Sequence, residues 1–552
     1  MSNFFNVVGL SSNNDAAFEN YRVIKDAVNA CNSGNYNGII LPDGKYPLYN
    51  QRAVELKDML FSGKISATDN DYFNKNQNIV FDFYNLSDFK VIGNNTTLLF
   101  EGLIAPFDFK NCKNVIVKGI TIDWINPLYF IADVIAKKQN NVFIKCKNEE
   151  QIMGAEPIVS IQNVNLENGE QGGMALFENI SNVVCDGTQC SFSCAETEAI
   201  NIADSLVIRH IYNYAPAIHF YRCKNVTIED VTIHSAAGMG IIGQKVENIN
   251  LYRLYVKPSN RRPMSTNTDA THFINCSGLI NFNTCYFEGM GDDATNVHGF
   301  YLRIKKVEGN KIYFVQEQQC QGGINYCPDI GQKIEFVNSE TLQTNGEATV
   351  KSVDFDNENG CGYIYFEEDI GSIAKENDCV ANATEVARLN FENCTVKNIR
   401  GRGVLLQTRG AVIKNCLFKG CTGEGVHICT ETGWWESIST RDILITENRF
   451  IDCGFGSTKY CDAVAVVTST NAPKQTVGVH KDIEIIGNYI IGENRPMLIS
   501  CAENVLVSGN LIGCKRGIEI SNSENIIIKD NKLVDYDDIF KINPDVFADG
   551  KE

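Results

Sequence analysis

The sequence has no apolar run approaching the roughly 20 residues a membrane-spanning helix needs, so no helical membrane segment is expected. Basic residues are scarce: 49 Lys and Arg stand against 67 Asp and Glu, a net charge of −18. Nucleic acids and anionic membranes recruit proteins through positive surface, so neither is an expected partner, and strongly polyanionic sugars such as pectate are disfavoured on the same ground. The opening residues MSNFFNVVGL lack the basic and apolar regions of a secretory signal. Cysteine is plentiful at 21, but the paired spacing of a disulfide framework is missing. Both features favour a reducing compartment, and a cytoplasmic location is expected.

What the chain does have is a repeat. KNCKNVIVKGITI (Lys110 to Ile122), YRCKNVTIEDVTI (Tyr221 to Ile233), VENINLYRLYV (Val246 to Val256), AENVLVSGNLI (Ala502 to Ile512) and SENIIIKDNKL (Ser523 to Leu533) share one pattern: a polar turn ending in Asn, an alternating strand, a turn and a second strand. Alternation of β-branched residues at period two, punctuated by Asn and Gly, reads as short strands. Asn504 and Asn525 are 21 residues apart, and Val226 and Ile249 are 23 apart. A period near 22 is that of a right-handed parallel β-helix, whose coils bury their apolar faces only by stacking. Cys112, Cys223, Cys276, Cys394 and Cys416 recur in an N-C or R-C step, read here as one inward ladder at a single phase of the repeat.

The expected organisation is all-β. An N-terminal helix over Asp15 to Cys31, with Phe18, Ile24, Ala27, Val28 and Cys31 on one face and Asp15 as its cap, covers the open end of the solenoid within residues 1–126. The repeat lapses twice, at 127–182 and 301–385, where hairpin-like alternation predicts two small inserted antiparallel sheets or barrels. Regular coils occupy 183–300 and 386–552. Insertions on a solenoid tend to gather on its binding face.

The chemistry concentrates in NTDATHFINCSGLINFNTCYFEGMGDDATNVHG, Asn267 to Gly299. Asp269 and Asp292 are 23 residues apart, one coil, so their backbones are expected about 5 Å apart, with Asp293 beside them. Three crowded carboxylates cannot all ionise cheaply, so one proton is retained near neutral pH, which equips the site for acid–base cleavage of a glycoside. Adjacent strand residues face opposite ways, so Gly289 and Gly291 must bend the chain to turn Asp292 and Asp293 to the same side. Taken alone, GDDA reads better as a polar turn, and clustered Asp oxygens also suit a calcium site. His272, Asn296 and His298, flanking the acids, favour a sugar site. That reading requires no cofactor and no metal ion.

NTDATHFINCSG followed by GMGDDATNVHG resembles the signature of glycoside hydrolase family 110, exo-acting α-galactosidases that remove terminal α-1,3-linked galactose, including that of the blood group B antigen. RGVLLQTRGAVIKNCLF (Arg402 to Phe418) and WWES (Trp434 to Ser437) resemble further blocks of that family. The resemblance implies an inverting hydrolase with Asp269, Asp292 and Asp293 as its catalytic trio. Asp292 would be the general acid, and Asp269 and Asp293 would hold the attacking water. Residue type adds candidates for galactose binding: Trp434 and Trp435, two of three tryptophans, with Arg409, Glu431 and Glu436. The loop Lys257 to Asn267 is expected to rim the pocket. A galactose-terminated glycan is the expected partner, and oligomeric state stays open, a dimer being admissible.

Family 28 polygalacturonases share NTD, DD, HG and RIK elements, matched by Asn267 to Asp269, Asp292 and Asp293, His298 and Gly299, and Arg303 to Lys305. Here His298 follows the Asp pair by five residues where that family places its histidine about a coil later. A non-catalytic β-helical glycan binder is the third reading, against which stands the cost of three crowded carboxylates.

Overall fold

Each coil contributes up to three short strands, and each strand pairs in parallel with its counterpart one coil on. The computed structural model describes residues 3–147, 156–172, 180–194, 200–259, 262–318, 323–471 and 474–535. The first of three parallel ladders passes through Ile79–Tyr84, Ala105–Lys110, Ile218–Tyr221, Ile241–Gln244, Thr271–Ile274, the start of Thr295–Glu308, Val404–Leu406 and Val426–Ile428. The second runs from Phe4–Asn6 to Glu524–Lys529, and the third from Gly44–Leu48 to Lys532–Leu533. Alternation points one side chain in two inward, so Val226 and Ile228 stack on Val115 and Val117 below and on Ile249 and Leu251 above, all buried. Burying each such side chain contributes about 1.5–3 kcal/mol, and no coil achieves it alone.

The corners explain the N-C and R-C steps. Asn111, Arg222 and Asn275 adopt left-handed φ of 54°, 50° and 47° to turn the chain between the first and second ladders, and the next residue, Cys112, Cys223 or Cys276, points inward. Its thiol donates to a carbonyl of the coil before, as Cys223 does to Phe109 at 3.3 Å. Asn pays the smallest penalty for that φ after Gly, which accounts for its recurrence. The single cysteine ladder expected from sequence is in fact two. Cys394 and Cys416 occupy the next corner, between the second and third ladders, together with Cys285. Both corners ask for the same small inward side chain, so the motif does not reveal which corner it marks. Further along, that second stack changes to asparagine: Asn448, Asn488, Asn510 and Asn531 each accept a backbone N–H from the coil before, at 2.8–2.9 Å.

The open end is covered by helix α1 (Ala17–Asn32), which buries Ala17, Asn20, Ile24, Ala27, Val28 and Cys31. Phe18 is not on that face; it is exposed and meets Tyr49 edge-on. Asp15 is not the cap; the Asn13 side chain accepts its N–H at the head of a short 3₁₀ turn. A second helix, α2 (Gln51–Phe61), capped by Asn50 and buried through Ala53, Leu56 and Leu60, and a third, α3 (Asn70–Lys75), were not anticipated.

Two antiparallel units interrupt the coils. The first is a six-stranded sheet ordered Ser160–Val164, Ser205–Arg209, Tyr129–Lys138, Asn141–Cys146, Gln189–Ser193 and Ser181–Asp186. It runs on past the expected boundary at 182, because Ser205–Arg209 returns to pair with Tyr129–Asp133. Cys185 and Cys190 are bonded across its hairpin, a disulfide the sequence reading did not foresee. The second is a closed six-stranded barrel. One continuous strand, Thr295–Glu308, begins in the first ladder of the β-helix and ends in that barrel.

Candidate active site

The turns leading from the third ladder into the first build the site. Asp269, Asp293, Arg402 and Glu424 each stand two residues before a first-ladder strand, and Thr271, Thr295, Val404 and Val426 are in register, so the four form one column on successive coils. This corrects the expected pairing of Asp269 with Asp292. The register step is 24 residues, which makes Asp293 the equivalent of Asp269 and Asp292 the extra residue in the turn. Gly289, at φ 70°, bends the chain there, and Gly291 passes so close that a β-carbon on it would lie 2.2 Å from the Asn267 carbonyl. The bend brings one oxygen each of Asp269, Asp292 and Asp293 within 4.8 Å of one another.

The three carboxyls are held differently. Asp293 is buried; its Oδ1 accepts the Arg402 backbone N–H at 2.7 Å and Nε–H at 2.9 Å, and its Oδ2 accepts from the guanidinium at 2.7 Å. Its own N–H donates to Asp269 Oδ1 at 3.2 Å. Asp292 is the most exposed of the trio, at 20 % for its side chain, 3.1 Å from the Arg400 guanidinium and within 3.4 Å of the Tyr212 hydroxyl, which donates to it. Burial and then the Asp292 charge push Asp269 well above the usual carboxylate range. Burial lifts Asp293 to about 7, with Arg402 opposing and both neighbouring carboxylates assisting. Asp269 and Asp293 therefore titrate together, and the pair retains a proton at neutral pH.

The cavity over the trio has a volume of about 620 Å³, and His272, Asn296, Glu431, Trp434 and Glu436 also line it, with Tyr212, Arg400 and Arg402. His272 and Asn296 are register partners on adjacent strands. Asn296 donates to Glu436 at 3.4 Å, and Gln407 donates to the same carboxylate. Burial works against the Glu436 charge, but the two histidines and Arg402 hold it below the ordinary range; burial beside Glu436 lifts Glu431 to about 7.

Three expected site residues are elsewhere. Arg409 forms a two-armed ion pair with Glu335 of the barrel, at 2.8 and 3.0 Å, fastening barrel to β-helix. Trp435 is buried in a cluster with Tyr301 and Ile438, while its neighbour Trp434 is 58 % exposed at the cavity mouth. Successive residues diverge here, so the WW pair divides between packing and pocket. His298 sits behind His272, its Nδ1 bonded to the Gly299 carbonyl at 2.8 Å. Of the loop Lys257 to Asn267, residues 260 and 261 lie outside the described residues; Asn267 is buried and its carbonyl accepts from the fully buried Arg209 at 2.7 Å. Conversely, Arg400, Arg402 and Tyr212 were not singled out from sequence. Only Arg402 left a signal, its place in the column, and the 109 residues separating it from Asp293 concealed that.

Because Arg441 and Thr344 also face Glu335, Arg409→Leu is expected to cost about 1–2 kcal/mol of stability, seen as a lower melting temperature with KM unchanged.

The family model for right-handed β-helix regions matches residues 379–538. The chain is 25% identical over 501 residues to alpha-1,3-galactosidase A of Bacteroides fragilis, covering 86% of this chain and 81% of that one. It is 25% identical over 519 residues to alpha-1,3-galactosidase B of Bacteroides thetaiotaomicron, covering 88% and 81%. Among solved structures, the A-module of the Azotobacter vinelandii mannuronan C-5 epimerase AlgE6 superposes with a TM-score of 0.45 at 9% identity, over 96% of this chain and 99% of that one. The likeness to α-1,3-galactosidases read from the motifs is borne out by the names of these relatives.

Proposed function

We propose that this chain, related over most of its length to α-1,3-galactosidases, is an exo-acting glycoside hydrolase that releases terminal α-1,3-linked galactose. The observation that carries the reading is the carboxylate trio on the floor of a cavity of sugar size, with one retained proton and arginines holding the remaining charge. Acid–base cleavage of a glycoside needs one carboxylic acid and one carboxylate together.

Asp292, the carboxyl turned furthest toward the cavity, passes the proton retained within the trio to the leaving oxygen, and Arg400, 3.1 Å away, holds the charge it is left with. Asp269 and Asp293, deeper and joined through the Asp293 N–H, orient and deprotonate the water. Displacement by that water in one step inverts the anomeric centre. The nearest oxygens of the trio, within 4.8 Å of one another, stand closer than the about 6.5–9.5 Å of an inverting pair and nearer the about 5–5.5 Å of a retaining one, which makes retention the second reading. The product anomer decides between them.

The test is proton NMR of the purified protein acting on linear Galα1-3Gal and on blood group B trisaccharide. β-Galactose appearing first establishes inversion, and the substrate consumed defines tolerance of the fucose branch. α-Galactose appearing first establishes retention. Release of galactose from neither rejects the substrate assignment and promotes the polygalacturonase-like and glycan-binder readings.

Trp434, exposed at the mouth, supplies an aromatic face for the sugar beyond the scissile bond. Trp434→Ala is expected to raise KM about tenfold with kcat changed little, in steady-state kinetics on the disaccharide.

A further inference from the structure

We infer that His272, His298 and Glu436 form a binding site for a divalent transition-metal ion of the zinc class, in the wall of the cavity beside the carboxylate trio. The two imidazoles are oriented from behind: His272 Nδ1 meets Asp269 Oδ2 at 2.7 Å and His298 Nδ1 meets the Gly299 carbonyl at 2.8 Å. A carbonyl only accepts, so His298 carries its hydrogen at Nδ1 and presents a bare Nε2. That Nε2 faces His272 Nε2 at 2.8 Å, and Glu436 Oε1 lies 3.7 Å from it. One ligand atom from each of the three residues falls within a 4.8 Å cluster. Metal-bound histidines characteristically donate the far ring N–H to a carboxylate or a backbone carbonyl, and here there is one of each. Two imidazoles and a glutamate, with one position left open, are a zinc donor set.

The spacing suits an ion. Ligands about 2.0–2.1 Å from a common centre are about 3.3 Å apart when tetrahedral and at most about 4.1 Å apart when opposed. The observed 2.8 and 3.7 Å about His298 Nε2 need shifts of a few tenths of an ångström, and the third pair, His272 with Glu436, falls within the 4.8 Å cluster. An independent sign comes from Asn296 and Gln407. Both amides donate to Glu436, which keeps it aimed, and both leave their own oxygens buried without a partner among the described residues. Asn296 lines the cavity, so its oxygen is available to a water on the ion.

Without an ion, one proton must bridge the two Nε2 atoms. With that proton on a neutral His272, its Nδ1 is an acceptor and Asp269 the donor of their hydrogen bond; a second proton on His272 leaves Asp269 the acceptor. An ion in place of that proton leaves His272 donating from Nδ1 to an ionised Asp269. The site is thus coupled to a carboxyl of the trio, yet it stands whatever sugar the cavity takes.

The test is isothermal titration of the chelator-stripped full chain with zinc chloride, with bound zinc counted by elemental analysis after dialysis. One zinc per chain with a Kd below about 10 µM is expected, weakened at least about 100-fold in both His298→Ala and Glu436→Gln and retained in Asp292→Asn. If His298→Ala does not fold, Glu436→Gln carries the test. No zinc retained by the wild type overturns the proposal, as does binding abolished by Asp292→Asn and kept by the two site variants, which would place the ion on the aspartates. Because the readout is bound metal, failure here is distinct from failure to cleave a galactoside.

Discussion

Asp292→Asn is expected to lower kcat on Galα1-3Gal by about 10²–10⁴-fold, the range over which a positioned acid or base contributes. The substitution keeps shape, and Arg400 retains its bond to the Gly291 carbonyl at 3.1 Å, so KM and melting temperature should hardly move. The diagnostic comparison is an aryl α-galactoside whose leaving group departs without a proton. An acid role for Asp292 predicts a much smaller loss on that substrate. Equal losses on both would remove Asp292 from the acid role and transfer it to Asp269 or Asp293.

Arg402→Leu is the second large effect, and it acts first on stability. Arg402 supplies Asp293 with three hydrogen bonds, two from its side chain, and Asp293 is 2 % exposed beside two further carboxylates. Removing one partner of a buried pair typically costs about 3–5 kcal/mol because the other charge is stranded. The loss should depend on pH in a definite direction. Folded Asp293 already titrates near 7 against 3.8 for the free side chain, so the native state binds more protons and its stability falls as pH rises between those values. Without Arg402 the folded pKa rises further. The melting temperature should then drop little at pH 5, where Asp293 is protonated, and most at pH 8. The double variant Arg402→Leu/Asp293→Asn should recover much of the stability and none of the activity. A loss of equal size at both pH values would show that Arg402 acts by packing.

How far the site was legible follows from how its parts are connected. Asp269, Asp292 and His272 lie within 24 residues on adjacent coils, so the repeat alone brings them together. Arg402 belongs to the same column, but the barrel intervenes in sequence, and Tyr212 arrives on the chain returning from the first inserted sheet. Arg409 and Trp435 have the composition of sugar-binding residues. The barrel and the packing around it claim them, because a buried Glu335 needs a cation and the cluster under Tyr301 needs an apolar ring.

Spacing along the chain is enough to dictate the solenoid, its three-strand coil, the residues at its corners and the crowding of acids at one turn. All of these arise from contacts one coil apart, about 22 residues along the chain, where local alternation and left-handed Asn positions impose geometry directly. Folding in three dimensions settles that Asp293 and not Asp292 aligns with Asp269, that the cysteines form two stacks, which tryptophan faces the cavity, and that two histidines converge with Glu436. Those outcomes depend on register to within one residue and on where two inserted units fold back. A one-residue shift reverses which side chains face inward, and the insertions close across distances that no repeat encodes.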